Sequence, residues 1–530
     1  MPNHLTEADV KWALTHLDRF GDTDLFPWPF ELTVMVQEQK KVIDHIRGID
    51  LHQHKWQEPR RALVLKDALA FRNASQLEPL DAVLFSALIR HDAKKLEARR
   101  GDEARNRIFS YRAHPAANGQ LYVDDRYRDF WTESKRLAEA NAFVLATDLT
   151  DFYNQVYHHT VEQEMNAAGV HPAAQAALKH LLQRSSVTVS RGIPIGPHGA
   201  HILAELSLRN IDELLVNRGV QYVRFVDDFH IFCSSQADAH RVLYELAHAL
   251  DLAKLHLNRS KTRLLPASDW IAEADRALNN RPINDEEAEL LKEMTAAFGD
   301  PYVLMGIHEI PASLANLLTE ARLANILEAY LSSPTPDYVR VRWFLRRLSQ
   351  TGSPCAVHFI AEHFGRFAPA ATDAVRYLRI AIRRYVGDHP ALGEKLLDAL
   401  AFPIIAANPY LRLTVLSLFA SVATLNHVSR LTTSFGTMTA EAQREVVLAA
   451  TKAGASGWLR THKGLDHRDP WLRRAILYSS STWTEDERTH WSKTLKGSYG
   501  FLDDLIVETL KSEKTVQGLI KRTSRQRKRL

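Results

Sequence analysis

The stretch Arg224-Phe225-Val226-Asp227-Asp228-Phe229-His230-Ile231-Phe232 places two adjacent carboxylates inside an otherwise apolar, strand-like run. Successive residues of a strand face opposite sides, so an unbroken buried strand would leave at least one of these charges uncompensated. A tight turn between two strands that presents the aspartates to a metal ion removes that cost. A third carboxylate, Asp148, ends a second apolar run, Ala142-Phe143-Val144-Leu145-Ala146-Thr147-Asp148-Leu149, that also reads as a strand. Two Mg²⁺ ions about 4 Å apart need bridging carboxylates from separate strands, and Asp148 and Asp227 are the natural pair.

Around these runs the chain changes character. Residues 1 to about 110 read as amphipathic helices, interrupted by Gly21-Asp22-Thr23-Asp24-Leu25-Phe26-Pro27-Trp28-Pro29-Phe30-Glu31, whose prolines no helix runs through. From about 140 to 265, short apolar strands (AFVLATDL, VTVS, VQYVRFVDDFHIF) alternate with a long helix through the 160s to 180s and another from about 198, an α+β pattern. Past about residue 285 helical periodicity takes over. Related phrases open at Asp337, Asp373, Asn408, Glu441 and Asp469, and their arginines Arg340, Arg376, Arg412, Arg444 and Arg473 are 36, 36, 32 and 29 residues apart. Such a period, each unit a helix pair opened by an acidic or Asn cap, predicts a stacked α-solenoid.

A length of 530 residues predicts two or three domains. No apolar run approaches a membrane span, and the opening MPNHLTEADVKW has no secretory character, so no membrane partner and a cytoplasmic location are expected. Two cysteines, Cys233 and Cys355, exclude a disulfide framework and a cysteine-based zinc module. The formal charge of +4 depends on the tail KRTSRQRKRL, where Lys521, Arg522, Arg525, Arg527, Lys528 and Arg529 form a basic patch suited to phosphates or to solvent.

Asp148, then Gly192-Ile193-Pro194-Ile195-Gly196-Pro197, then Phe225-Val226-Asp227-Asp228, then Leu257-Asn258-Arg259-Ser260-Lys261-Thr262, stand in the order of a palm polymerase. Over roughly residues 20 to 270 the sequence resembles the reverse-transcriptase superfamily, with motif A at Asp148, motif B at Gly192 to Gly196, motif C at Phe225 to Asp228 and motif D ending in Lys261. The GDTDLFPWPFE stretch and the appended helices look like the bacterial defence-associated branch, the abortive-infection and unknown-group enzymes. That resemblance implies fingers and palm over 1–285, a HEAT-like helical domain over 286–519 and the basic tail over 520–530.

It also implies site roles. Asp148, Asp227 and Asp228, with Leu149, form the metal set for Mg²⁺, with Mn²⁺ as a substitute, and Lys261 acts on the leaving pyrophosphate. Asp151, Phe152 and Tyr153 cradle the triphosphate, and the Tyr153 ring crowds a ribose 2′-hydroxyl. Lys66 and Arg72 grip the incoming nucleotide, and Pro194, Ile195 and Gly196 line its site. Two positions depart from the usual pattern: Phe225 replaces Tyr, and Ile195 replaces Gln, which puts ordinary template-directed fidelity in doubt.

The expected function is a DNA nucleotidyltransferase, an RNA-directed DNA polymerase in type, acting in antiphage defence (abortive infection) on dNTPs. The resemblance implies synthesis primed from a protein hydroxyl without a template, leaving the DNA product covalently attached. Tyr330, Tyr338 and Tyr410 on the helical side are conceivable primers. It also implies a homo-oligomer, a trimer or hexamer. Alternatives are an enzyme that copies a partner noncoding RNA, and a non-catalytic scaffold that binds nucleic acid or protein.

Overall fold

A computed structural model describes residues 3–101, 106–123, 126–186, 189–279, 282–298, 310–464, 469–495 and 499–526. The chain is mostly helical, about 65%, with a small sheet. Of the basic tail, Arg527, Lys528 and Arg529 lie outside the described residues, as do the side chains of Lys521, Arg522 and Arg525.

Two compact units divide the chain, and neither is continuous in sequence. The first comprises Met1–Leu17, Ile43–Arg60 and Ser75–Leu291; the second comprises Asp18–Val42, Arg61–Ala74 and Lys292–Leu530. The GDTDLFPWPFE stretch, read above as part of a single N-terminal domain, thus clusters with the C-terminal helices. The hairpin of β1 (Arg60–Leu65) and β2 (Phe71–Gln76) falls mostly in the second unit. Helices were expected there. Its turn is set by Asp67, whose carboxylate accepts the Leu69 and Ala70 N–H groups, both at 2.8 Å, while the Lys66 N–H bonds the Ala70 carbonyl at 2.7 Å.

The first unit holds a four-stranded antiparallel sheet of β3 (Phe143–Asp148), β4 (Gln221–Phe225), β5 (Asp228–Cys233) and β6 (Arg263–Pro266), in the order β4-β5-β3-β6. Alternation divides its residues between two layers of helices. Val144, Ala146, Val223 and Phe232 meet Phe130, Trp131 and Trp270 from helices Arg126–Glu139 and Ala267–Leu278. Leu145, Phe229 and Ile231 point to the other face, where helix Gln236–Leu252 packs on β3 and β5.

One sequence expectation fails in this unit, and another falls partly outside the described residues. The long helix of the 160s to 180s is two helices, His158–Ala167 and Pro172–Ser186, separated where Gly169 takes a left-handed φ of 72° and Pro172 starts the next. At VTVS, Val187 and Thr188 lie outside the described residues, and Val189 and Ser190 are not in a strand.

In the second unit, helices Tyr338–Thr351, Ala371–Ala381, Pro409–Ser421, Ala440–Lys452, Pro470–Ser479 and Phe501–Thr509 pack each on the next in chain order. The first five carry the repeated phrases. Asp337, Asn408 and Asp469 cap their helices as expected, and Thr439 serves the fourth. Asp373 differs: it is buried in the first turn of its helix and pairs with Arg346 at 2.9 Å.

Candidate active site

The register of β3 on β5 sets Asp148 directly opposite Asp228, so both carboxylates leave the end of the sheet on the same face. Phe225 pairs with Asp228 across β4 and β5, leaving Val226 and Asp227 as a two-residue turn. Val226 has a φ of 58°, a region β-branched residues rarely enter. The Leu149 N–H bonds the Asp227 carbonyl at 3.1 Å and ties the end of β3 to that turn. The three aspartates and Leu149 are therefore brought to one place.

Lys261 completes the group, its Nζ 2.7 Å from Asp148 Oδ2. Asn258, quoted above only as part of a motif, donates its side-chain amide to Asp148 Oδ1 at 3.1 Å and its backbone N–H to the Asp148 carbonyl at 2.7 Å. Burial, then repulsion from Asp148 and Asp227, pushes the Asp228 carboxyl up to about 7 against the pull of Lys261 and Arg263. Burial works to lower the Lys261 ammonium, but its bond to Asp148 and the charges of all three aspartates hold it above its ordinary value.

A crowded set of carboxylate oxygens that repel one another suits a hard divalent cation. Among the described residues, no three His, Cys, Asp or Glu side chains are drawn tightly enough together to cage an ion unaided.

Asp151 stands exposed at a φ of 50° ahead of the short helix Phe152–Gln155, and its side chain accepts from Asn154 Nδ2 at 2.7 Å. In that turn the Asn154 N–H bonds the Asp151 carbonyl at 3.1 Å. Phe152 is buried. The Tyr153 hydroxyl meets His201 Nδ1 at 2.6 Å, and desolvation pushes the phenol well above its ordinary value. His201 in turn stacks on Tyr111, with ring centroids 4.1 Å apart.

The segment Gly192 to Gly196 runs alongside. Its glycines take φ of 102° and 135°, the Ile193 N–H bonds the Tyr153 carbonyl at 2.8 Å, and the Ile195 carbonyl accepts the Ser75 N–H at 2.7 Å. Pro194 and Gly196 are buried and Ile195 is partly exposed. Lys66 and Arg72 lie on the β1–β2 hairpin, in the other compact unit from the aspartates; Lys66 is exposed and Arg72 half-buried.

Residues 88–279, which include β3 to β6, all three aspartates and Lys261, match the family described as reverse transcriptase (RNA-dependent DNA polymerase). The chain carries a reverse-transcriptase domain. No curated protein matches the sequence. Among solved structures, the chain is similar to apo telomerase from Candida tropicalis, with 10% identity, a TM-score of 0.34 and 68% of each chain covered. It is also similar to telomerase from Candida albicans in complex with a fragment of telomeric RNA, with 11% identity, a TM-score of 0.30, 70% of this chain and 66% of that one covered.

The reverse-transcriptase domain is of the nucleotidyltransferase type. Its substituted Phe225 packs against Tyr127, Phe130 and Tyr111, with centroids 5.1, 5.8 and 6.4 Å away, so the apolar packing is kept without a hydroxyl. The sequence reading missed His230, which sits among Phe130, Trp131 and Trp270 with Nε2 3.6 Å from Asp228 Oδ1. Burial drives its ring well below the ordinary value, so it faces Asp228 neutral. It also missed Glu205, in the apolar helix His198–Ser207. An acid inside such a helix signals a buried cation, and Arg224 in β4 is that partner at 2.9 Å.

Proposed function

We propose that this protein is a Mg²⁺-dependent DNA polymerase of reverse-transcriptase type that acts in antiphage defence. The observation that carries the polymerase reading is Asp148 set opposite Asp228, with Asp227 on the adjoining turn and Lys261 bonded to Asp148. Asp148, Asp227 and Asp228 would hold Mg²⁺, which would supply Lewis-acid charge for nucleotidyl transfer from a dNTP to a 3′-hydroxyl. Lys261 Nζ, kept protonated by its aspartate neighbours, offers its charge and a proton to the departing pyrophosphate. The backbone N–H groups of Asp151, Phe152 and Tyr153 receive phosphate oxygens, and Leu149, Pro194, Ile195 and Gly196 shape the surrounding backbone. The defence role rests on the resemblance of GDTDLFPWPFE and of the appended helices, which we take as a HEAT-like solenoid, to the abortive-infection branch.

Priming by protein has a specific obstacle in this chain. Tyr330, Tyr338 and Tyr410 are all buried, with hydroxyls engaged by Arg340 Nε, the Arg366 carbonyl and Thr372 with the Leu25 carbonyl, respectively. Priming from any of them needs its helix to open, which favours copying of a partner RNA as the second reading. The scaffold reading is weaker, because an idle cluster of three carboxylates repels itself.

Labelled dNTP incorporation with Mg²⁺, beside Asp227→Ala, tests the reading. Aspartate-dependent label that stays on protein after nuclease treatment supports protein priming, and label that requires RNA supports templated copying. Absence of aspartate-dependent incorporation under every condition removes the polymerase reading. The same assay checks sugar choice. His201→Ala frees the Tyr153 hydroxyl, and the preference for dNTP over rNTP is expected to fall about tenfold, the equivalent of one well-placed hydrogen bond.

A further inference from the structure

Segments far apart in sequence meet beneath the β4–β5 turn. Ser110, Glu205 and Arg224 are 0, 1 and 0% exposed, and Arg100 and Asp212 are nearly as buried. The Arg224 guanidinium holds Asp212 at 2.6 and 3.0 Å and Glu205 at 2.9 Å. Arg100 donates to Glu205 Oε2 and to the Ser110 carbonyl, each at 3.0 Å, and the Ser110 hydroxyl donates to Glu205 Oε1. Ser110 arrives there because the chain before it pairs with β4, the Phe109 N–H bonding the Arg224 carbonyl at 3.0 Å and the Arg224 N–H the Arg107 carbonyl at 2.7 Å.

Buried charge pairs often do no more than compensate one another, and apolar residues replace many of them without loss. This group does something further at one residue. The Val226 N–H donates to Ser110 Oγ at 2.8 Å, and the Val226 carbonyl accepts from Arg224 Nη1 at 2.7 Å. Both backbone polar groups of the residue held at a φ of 58°, immediately before Asp227, are thus bound by side chains that Glu205 links. Glycine takes this conformation without strain, whereas valine holds it only where its surroundings impose it.

We infer that Ser110, Glu205 and Arg224 form a clamp that positions the metal-binding aspartates by fixing the Val226 peptide. Glu205 is a positioning residue and no ligand: it acts through Ser110 on the Val226 N–H and through Arg224 on the Val226 carbonyl. The inference rests on the reading of Asp227 and Asp228 as metal ligands, and it adds a second set of residues on which their placement depends.

Ser110→Ala removes the acceptor of the Val226 N–H and leaves the Arg224 ion pairs in place. Its kcat and its Mn²⁺ affinity, the latter read by calorimetry without nucleotide, are expected to fall about 10- to 100-fold. The Val226 amide, slow to exchange with deuterium in the wild type, is expected to exchange fast. Adding Val226→Gly to Ser110→Ala restores most of the kcat and Mn²⁺ affinity, because the turn no longer needs to be forced; a role confined to fold stability predicts that the two losses add. Unchanged Mn²⁺ affinity in Ser110→Ala, fast Val226 exchange in the wild type, or additive losses in the double variant each overturn the clamp. Failure of the polymerase reading shows separately, as no difference in incorporation between wild type and Asp227→Ala, while amide exchange still reports on the clamp.

Discussion

Asp228→Asn is expected to lower dNTP incorporation by about 10³-fold or more while making the Mg²⁺-free protein more stable at pH 8. The loss follows from removing one of the charges that would hold the ion, about 4 kcal/mol of transition-state stabilisation. The gain follows from the repulsion at the site. The Asp228 carboxyl ordinarily titrates near 3.8 and is raised to about 7 in the fold. Between those values the folded state binds more protons than the unfolded state, so stability falls as pH rises through the interval. Asparagine carries no charge and escapes that loss. The Asp228 side chain is 43% exposed, and solvent screening reduces the gain to about 1 kcal/mol, a few degrees in Tm at most. Melting with and without Mg²⁺ from pH 5 to pH 8.5 checks this. The wild type is expected to gain more from Mg²⁺ as pH rises, and Asp228→Asn to gain little at any pH. A variant that melts lower than wild type without Mg²⁺, or that still polymerises, contradicts the assignment of the site.

The aspartates were legible in the sequence for the same reason that they repel. A charge inside an apolar strand is costly, and the expected turn is present: Asp227 lies in it and Asp228 is the first residue of β5. Asp148 could be read at a strand end, although its register opposite Asp228 is set by long-range pairing that no local pattern carries. The β1–β2 hairpin escaped detection because Leu63, Leu69 and Phe71 are exposed and no alternation separates an inner face from an outer one. The clamp could be read only by pairing charges across the chain. Glu205 and Arg224 each carry a charge among apolar neighbours, but nothing in the sequence joins them through Ser110, 95 residues from Glu205.

The sharpest miss was Glu31, the last residue of GDTDLFPWPFE, and it carries the largest expected effect on stability. Its side chain is fully buried, with its carboxylate 2.8 and 2.9 Å from the Arg444 guanidinium and 3.0 Å from Arg474 Nε. Phe30 stacks on Tyr478 at 4.5 Å, and Asp24 pairs with Arg346 at 2.7 Å. The prolines that stop a helix here thus present a short segment to the repeated helices, and Arg444, noted in the sequence only as one of a periodic series, is the centre of its anchor. Burial alone would raise the Glu31 carboxyl, but Arg444 and Arg474 overcome it and hold it below its ordinary 4.5. Its contribution is therefore present above that value and lost as pH falls through the lower folded one. Glu31→Ala removes the carboxylate that two buried guanidinium groups share, and the second unit is expected to lose about 3–5 kcal/mol, read as a lower urea midpoint. Exchange protection should drop together in residues 18–42, Ala440–Lys452 and Pro470–Ser479, with the strands β3 to β5 spared. The combination of Glu31→Met, Arg444→Met and Arg474→Leu should recover much of the midpoint, because an apolar set of similar volume needs no compensation. If Glu31→Ala leaves the midpoint unchanged, the N-terminal segment is not held by this carboxylate, and the discontinuous second unit loses its main support.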